Sequence, residues 1–541
     1  MSRVQKRAVL IVTALTGLLL FIVLNFASSG ETADGFDPAG DPSTRASAER
    51  AALAFAERHF GPGDWRAFAM YDANAAATGY VSKEKPHADP AVVWPRAPFE
   101  YFRVIAGIPG EGRLTVYVSS SDSRVIGWNA ENLDRETGAV PFPSAEEAME
   151  ALGYDPADFA AAGFDGETFS YVHREQVGDL GYRVDVFMPE GRVLAVEPAV
   201  EAPASIVRLL GDYELKAALF SLLILFLQFL LAVAAVVAAC VLRAQAGFGR
   251  GVFLSLACFV LLAVHTVNQY PAQRLQIDDT PALVIAGLFG QGVNMLMAAS
   301  VWISLVAGDA LWRRMGFRPW PGLREPDFPA AAARSVWLGA LYAFIILGLQ
   351  AVVLQAGFSL FGVWTTADPS IDPRNMLAPG LYPLLAWVAA VSEEAVFRLF
   401  AIAAFTAAFR PLWRWVHRLT DQPAFLSPLF SVAPAAFLAS VLWGAAHIGY
   451  AVYPVPVRLI EVTLLGLVFS WLFVRHGLMA AIFAHAFVDL ILMALDAAGR
   501  GLLHPVPALA YLLMPVLAGY GASLLSARLA ARRAPAGSLE R

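Results

Sequence analysis

Six residues in the last third of the chain are of the kinds that move protons or stabilise charge: Glu393, Glu394, Arg398, His447, His485 and Asp489. Each lies in an otherwise apolar stretch. Ser392-Glu393-Glu394-Ala395-Val396-Phe397-Arg398 sits near the middle of a run at 377–408. Trp443-Gly444-Ala445-Ala446-His447 belongs to a run at 432–452, and His485-Ala486-Phe487-Val488-Asp489 to one at 477–496. A titratable group at membrane depth is costly, so it normally faces the protein interior and has a role. Glu394 and Arg398 are four apart, as are His485 and Asp489, so each pair shares a helix face. Glu393 projects about 100° away and is expected to lack the Arg398 partner. One carboxylate held by a cation, beside another free to take a proton, suits general-base chemistry. Glu, two His and Asp together can activate a water and stabilise an oxyanion, or they can bind zinc.

Each group also has a plain structural reading. A Glu–Arg pair can clamp helices, a helical His can bond a neighbouring helix, and Trp443 can simply pack. His265 and Glu461 fit that description. The functional reading gains from several such residues falling on successive apolar runs.

The elements that must position these residues follow from composition. Of 541 residues, 57% are hydrophobic and only 16% charged, against about 25% charged in soluble domains. This argues against a soluble enzyme, a nucleic-acid binder or a disordered chain. It indicates an α-helical polytopic membrane protein with an inserted N-terminal α+β extracytoplasmic domain. Apolar runs near 8–25, 216–241, 251–269, 281–308, 333–361, 377–408, 432–452, 456–474, 477–496 and 507–526 predict about ten transmembrane helices. Residues 8–25 follow Arg3, Lys6 and Arg7 and read as a retained anchor, or as a signal peptide with a weak cleavage site at Ala27-x-Ser29.

Charge divides the chain. Residues 28–210 hold 29 acidic and 15 basic residues, a net of −14, and the rest nets +8. Neither part carries a dense basic patch for nucleic acid. Both cysteines, Cys240 and Cys258, lie in apolar runs, so the acidic region has no disulfide framework and no Cys-based zinc site. One set of alternate loops carries Arg243 and Arg250, Arg313, Arg314, Arg318 and Arg324, Arg410, Arg414 and Arg418, Arg475, and Arg528, Arg532 and Arg533. The other set carries Arg274, Arg374, Arg458 and Arg500. The bias places both termini in the cytoplasm and residues 30–210 outside, in a multi-pass protein of the cell inner membrane.

Five segments result: an anchor or signal at 1–29, the extracytoplasmic domain at 30–210, further transmembrane helices at 211–375, a core at 376–500, and a last helix with a cytoplasmic tail at 501–541. A linker occupies 30–46. The domain reads as an internal repeat. Its first copy is a helix at Ser47–His59, Asp64-Trp65, and strands Leu114–Ser119 and Arg124–Trp128. Its second is a helix at Ser144–Leu152, Asp158-Phe159, and strands Arg183–Met188 and Arg192–Val196 about a Pro189-Glu190-Gly191 turn. This pattern resembles PepSY-like modules. The scattered His59, His87 and His173 form no ligand set, so an interaction or regulatory module is expected.

Glu393-Glu394-x-x-x-Arg398, Trp443-x-x-x-His447 and His485-x-x-x-Asp489, in this order on successive apolar runs, resemble the CPBP intramembrane protease family. That family includes the CAAX prenyl endopeptidases of the Rce type and the Abi-type immunity proteins. Arg475-His476-Gly477-Leu478 before Ala484-His485 also looks like it. The resemblance covers about 377–496. It implies a peptidase in which Glu393 activates water and His447 positions it. His485 and Asp489 would stabilise the oxyanion, and Glu394 and Arg398 would hold the site in shape. It leaves open whether Glu393, His447 and His485 bind zinc or act without metal. Two positions depart from the family pattern. Trp443 replaces Phe, with little effect expected. Asp489 replaces Asn, and an ionised Asp cannot donate to an oxyanion, so it would be protonated, orient His485 or bind a metal.

The leading expectation is therefore a membrane-embedded endopeptidase acting on a peptide or membrane-protein substrate, with its oligomeric state undetermined. The alternative is a non-catalytic transporter or an immunity or scaffold protein, since buried Glu, His and Asp also form proton relays. No duplication relates residues 216–370 to 377–526, which favours the enzyme.

Overall fold

The apolar runs become helices because helices satisfy their own backbone, which an open chain in hydrocarbon must do. The computed structural model describes residues 2–27, 44–108, 112–131, 142–422 and 427–531, so most of the 30–46 linker and Ser29 of the cleavage site lie outside the described residues. The chain is mostly helical, at 66%. Among the described residues, seven helices are long and apolar enough to cross a membrane. They are Val4–Asn25, Ala204–Val241, Thr280–Arg314, Phe328–Leu360, Val455–His476, Leu478–Gly499 and Pro505–Ala531. An eighth span results if Val252–Asn268 and Tyr270–Gln276, which bend by 52°, are taken together.

The expected count of about ten is thus not reproduced, for two local reasons. The 432–452 run yields only a short apolar helix, Phe430–Ala445. The 377–408 run breaks into a 3₁₀ stretch at Pro379–Leu384, an α-helix at Leu385–Glu393, a π-helix at Glu394–Ala401 and an α-helix at Ile402–Thr420. The last of these carries Arg410, Arg414 and Arg418 and is amphipathic rather than uniformly apolar.

The N-terminal region folds around one eight-stranded antiparallel sheet. Its strands are β1 (Arg66–Ala73), β2 (Glu100–Gly107), β3 (Arg113–Ser119), β4 (Val125–Glu131), β5 (Phe159–Phe164), β6 (Thr168–His173), β7 (Gly181–Phe187) and β8 (Ala195–Glu201). The spatial order is β1-β2-β3-β4-β8-β7-β6-β5. A helix precedes each half: Arg45–Phe60 before β1, and Ala145–Ala151 before β5. Each half is a helix followed by four antiparallel strands in sequential order, with the helices Ala75–Glu84 and Pro90–Val93 inserted between β1 and β2 of the first, so each has twice the strands read from the sequence. The halves join where Trp128 faces Val196 and Asn129 faces Ala195. Alternation along β2 buries Phe102, Val104 and Ala106 in the same core as Ala48, Ala52, Phe55 and Ala56 of the first helix.

The division at 210 is not a break, because the helix Ala204–Val241 runs unbroken from the domain into the bundle. The domain also shares its core with the loops at the bundle's end. Trp364, Ile448, Tyr453 and Val455 pack in that core. Two short strands, β9 (Trp364–Thr365) and β10 (Val452–Tyr453), pair there. The Asn375 side chain accepts from the Tyr71 backbone N–H at 2.7 Å and donates to the Tyr71 carbonyl at 2.7 Å, so it pairs with edge strand β1 as a neighbouring strand would. Arg374 lies 3.6 Å from the Tyr71 ring centroid and bonds Glu100 at 3.0 Å and Asp372 at 2.9 Å. Arg374 and Arg500 lie at this end, and the loops around Arg250, Arg318 and Arg475 at the other.

Candidate active site

Four elements bring the expected residues together. Glu393 ends the helix Leu385–Glu393, and Glu394 and Arg398 lie in the π-helix that follows. Trp443 is in the helix Pro428–Ala445, and His447 lies in the turn just beyond it. His485 and Asp489 are on the helix Leu478–Gly499. Small residues let these elements close. A Cβ at Gly444 would stand 2.9 Å from the Leu459 carbonyl oxygen, and one at Gly339 would stand 2.9 Å from the Ala484 nitrogen, next to His485. A π-helix shifts the hydrogen-bond ladder and is usually sustained by its surroundings. Here the Trp312 indole donates to the Leu399 carbonyl at 2.9 Å.

The two adjacent glutamates have different surroundings. Glu394 is fully buried. Its Oε1 lies 3.3 Å from Arg398 Nη1 and 2.9 Å from His485 Nδ1. The expected Glu394–Arg398 pair is present, and His485 is a second partner that spacing did not reveal. A carboxylate only accepts, so His485 Nδ1 carries the proton of this bond and Nε2 turns the other way. The Arg398 guanidinium stacks 4.0 Å from the Trp443 ring centroid and 5.2 Å from that of Phe469, so aromatic faces share its charge.

Glu393 keeps 23% of its side chain accessible. His447 Nε2 and His485 Nε2 each lie 3.9 Å from its Oε2. His485 Nε2 also lies 3.4 Å from Asp489 Oδ2, and Asp489 is 22% accessible. His447 Nδ1 bonds the Trp443 carbonyl at 2.8 Å, which aims its Nε2 toward Glu393. Glu393 forms no ion pair with Arg398 among the described residues, and its partner is instead the Trp443 indole N–H, which donates to Glu393 Oε2. Trp443 thus supplies a donor that Phe, expected at this position with little difference in effect, does not have. All six residues singled out from the sequence meet in one place, and Trp443 joins them. Glu461 is structural, bonded to Arg458 at 2.6 Å and Gln350 at 3.1 Å.

Glu393, His447 and His485 supply donor types that zinc accepts. Among the described residues, however, no group of three or more His, Cys, Asp or Glu side chains is placed to hold a metal ion. Glu393 Oε2, the oxygen nearest both imidazoles, is already engaged by the indole.

The arrangement places an accessible carboxylate beside two imidazoles inside a polytopic membrane protein. Residues 375–491 match the family model described as type II CAAX prenyl endopeptidase Rce1-like. This is a protease family, and the match supports CPBP family membership for a segment that contains every residue of the site. No curated protein and no solved structure matches the chain.

Proposed function

We propose that this chain is an intramembrane endopeptidase of the CPBP type that hydrolyses a peptide bond with water activated by Glu393. One observation carries the reading: an accessible carboxylate faces two imidazole nitrogens, each at 3.9 Å. That separation is too long for a direct hydrogen bond and suits groups that act on one shared water. Glu393 takes a proton from the water, and the water oxygen bonds to the peptide carbonyl carbon. His447 Nε2 orients the water. His485 stands beside the developing oxyanion, with Asp489 and Glu394 fixing its ring. Glu393 then passes the proton to the amide nitrogen, the C–N bond breaks, and a carboxylic acid and an amine leave.

Glu394 and Arg398 hold the π-helix and His485 in register. The arginine bias supports placing the termini on the cytoplasmic side of the cell membrane and the sheet domain outside. There the domain covers the loop that carries His447 and selects which peptides reach it.

The test is cleavage of a transmembrane peptide library by the full chain in liposomes. Glu393→Gln should lower the rate by about 10²–10⁴-fold, the usual weight of a general base, with an unchanged melting temperature. Cleavage at the wild-type rate would refute the proposal. The steps run through side chains alone, so a chelator should leave the rate unchanged. Inhibition that zinc reverses would instead put a metal among Glu393, His447 and His485.

A further inference from the structure

A cavity lies away from the site, at the bundle end opposite the sheet domain. Its volume is about 440 Å³. The end of Thr280–Arg314, the start of Phe328–Leu360 and the junction of Val455–His476 with Leu478–Gly499 enclose it. The loop at 317–321 forms one wall, fixed where the Leu478 N–H donates to the Pro319 carbonyl at 2.9 Å.

Arg318, Arg334, Arg475 and His476 line this cavity, and no acidic residue does. The three arginines are exposed, and none forms an ion pair among the described residues. The nearby carboxylate Asp309 is occupied by Arg250 at 3.3 Å and Arg313 at 2.9 Å. His476 lies within electrostatic range of Arg334 and Arg475, and its buried Nδ1 has no hydrogen-bond partner. Three like charges around one hollow repel one another unless an anion joins them. Guanidinium forks match phosphate oxygens in shape and charge. The remaining wall is apolar, with Leu338, Val432 and Phe473. Trp312 and Trp320 also line it, the residue type that settles at headgroup depth.

We propose that this cavity binds a phosphate group presented by an anionic phospholipid, with the arginines on the headgroup and the apolar wall along the first part of a chain. Basic hollows between membrane helices at the arginine-rich face take such headgroups. The inference does not depend on the peptidase reading. If both hold, the lipid sits against two elements of the site: Trp312, which bonds Leu399 of the π-helix, and the helix that carries His485.

The test is thermal unfolding of the full chain in neutral detergent, titrated with phosphatidylglycerol, phosphatidylcholine or inorganic phosphate. Phosphatidylglycerol should raise the melting temperature, and the other two should not. In R334Q/R475Q the phosphatidylglycerol midpoint should rise about thirtyfold, from the usual worth of two arginines near anionic lipid. R314Q/R528Q, at the same end but outside the cavity, should match wild type. If the first double variant does not fold, R318Q alone should shift the midpoint about fivefold. An equal response to phosphatidylcholine, or an unshifted midpoint in the cavity variants, would overturn the proposal. A full response to inorganic phosphate alone would overturn the lipid as its source.

Discussion

The indole of Trp443 donates to the carboxylate of Glu393, joining two elements that are 50 residues apart in sequence. The same ring lies over Arg398. One side chain therefore contacts both the accessible glutamate and the cation of the buried pair. Trp443→Phe keeps a ring over Arg398 and deletes the donor. A hydrogen bond to a charged group is worth about 1.5–3 kcal/mol. Peptide cleavage should fall at least about tenfold, with folding intact by circular dichroism. A wild-type rate would mean that the bond contributes nothing to the reacting geometry.

Glu394 differs from Glu393 in what its loss does. Glu394→Gln leaves the buried Arg398 without its counter-charge and replaces the charged acceptor of His485 by a neutral one. Breaking a buried pair typically costs about 3–5 kcal/mol. The variant should lose melting temperature as well as activity, whereas Glu393→Gln should lose activity alone. Thermal unfolding of both proteins side by side separates the two roles.

Asp489 Oδ2 lies 3.4 Å from His485 Nε2, so its predicted part is to hold that imidazole as an acceptor rather than to donate to substrate. An amide carbonyl can take over that acceptance. Asp489→Asn should then retain cleavage within about tenfold of wild type, while Asp489→Ala, with no acceptor, should lose about 10²-fold or more. The split should appear in kcat rather than KM. Equal damage from both substitutions would show that the charge itself is needed.

Asn375 ties the sheet domain to the bundle. Its amide satisfies both backbone groups of Tyr71 and the Pro369 carbonyl, all by direct bonds. Asn375→Ala strands these groups, at a cost of about 1–3 kcal/mol. Hydrogen exchange along β1 should accelerate in that variant while β3 and β7, inside the sheet, stay protected. Uniform exchange across the sheet would show that Asn375 does not act as the edge partner.

Much of the site was legible because its signals are local. A charged residue in an apolar run stands out, and the i,i+4 spacing places Glu394 with Arg398 and His485 with Asp489. The contacts between motifs were not legible. Glu394 and His485 are 91 residues apart, and nothing in their spacing says which of the two glutamates the imidazole chooses. Trp443 was visible as a residue but not as a donor, because a ring in an apolar run reads as packing until its N–H is located.

The domain shows the same limit. β7 was read as a strand because it alternates and ends in Pro189-Glu190-Gly191, where Glu190 and Gly191 both adopt positive φ. β5, Phe-Ala-Ala-Ala-Gly-Phe, lacks the β-branched residues that mark strands. It owes its conformation to pairing with β6. Asn375 meets Tyr71 across 304 residues, a contact set by tertiary packing alone.

The π-helix Glu394–Ala401 makes the site sensitive to the loss of a single codon. Such a segment behaves as an α-helix carrying an extra residue. Deleting a single codon within it would restore the ordinary ladder and rotate everything downstream by about 100°. The downstream helix would turn away from its present partners relative to Glu393 and Glu394, though every motif residue would still be encoded. In a relative with one residue fewer here, the motif alone would not establish a working site.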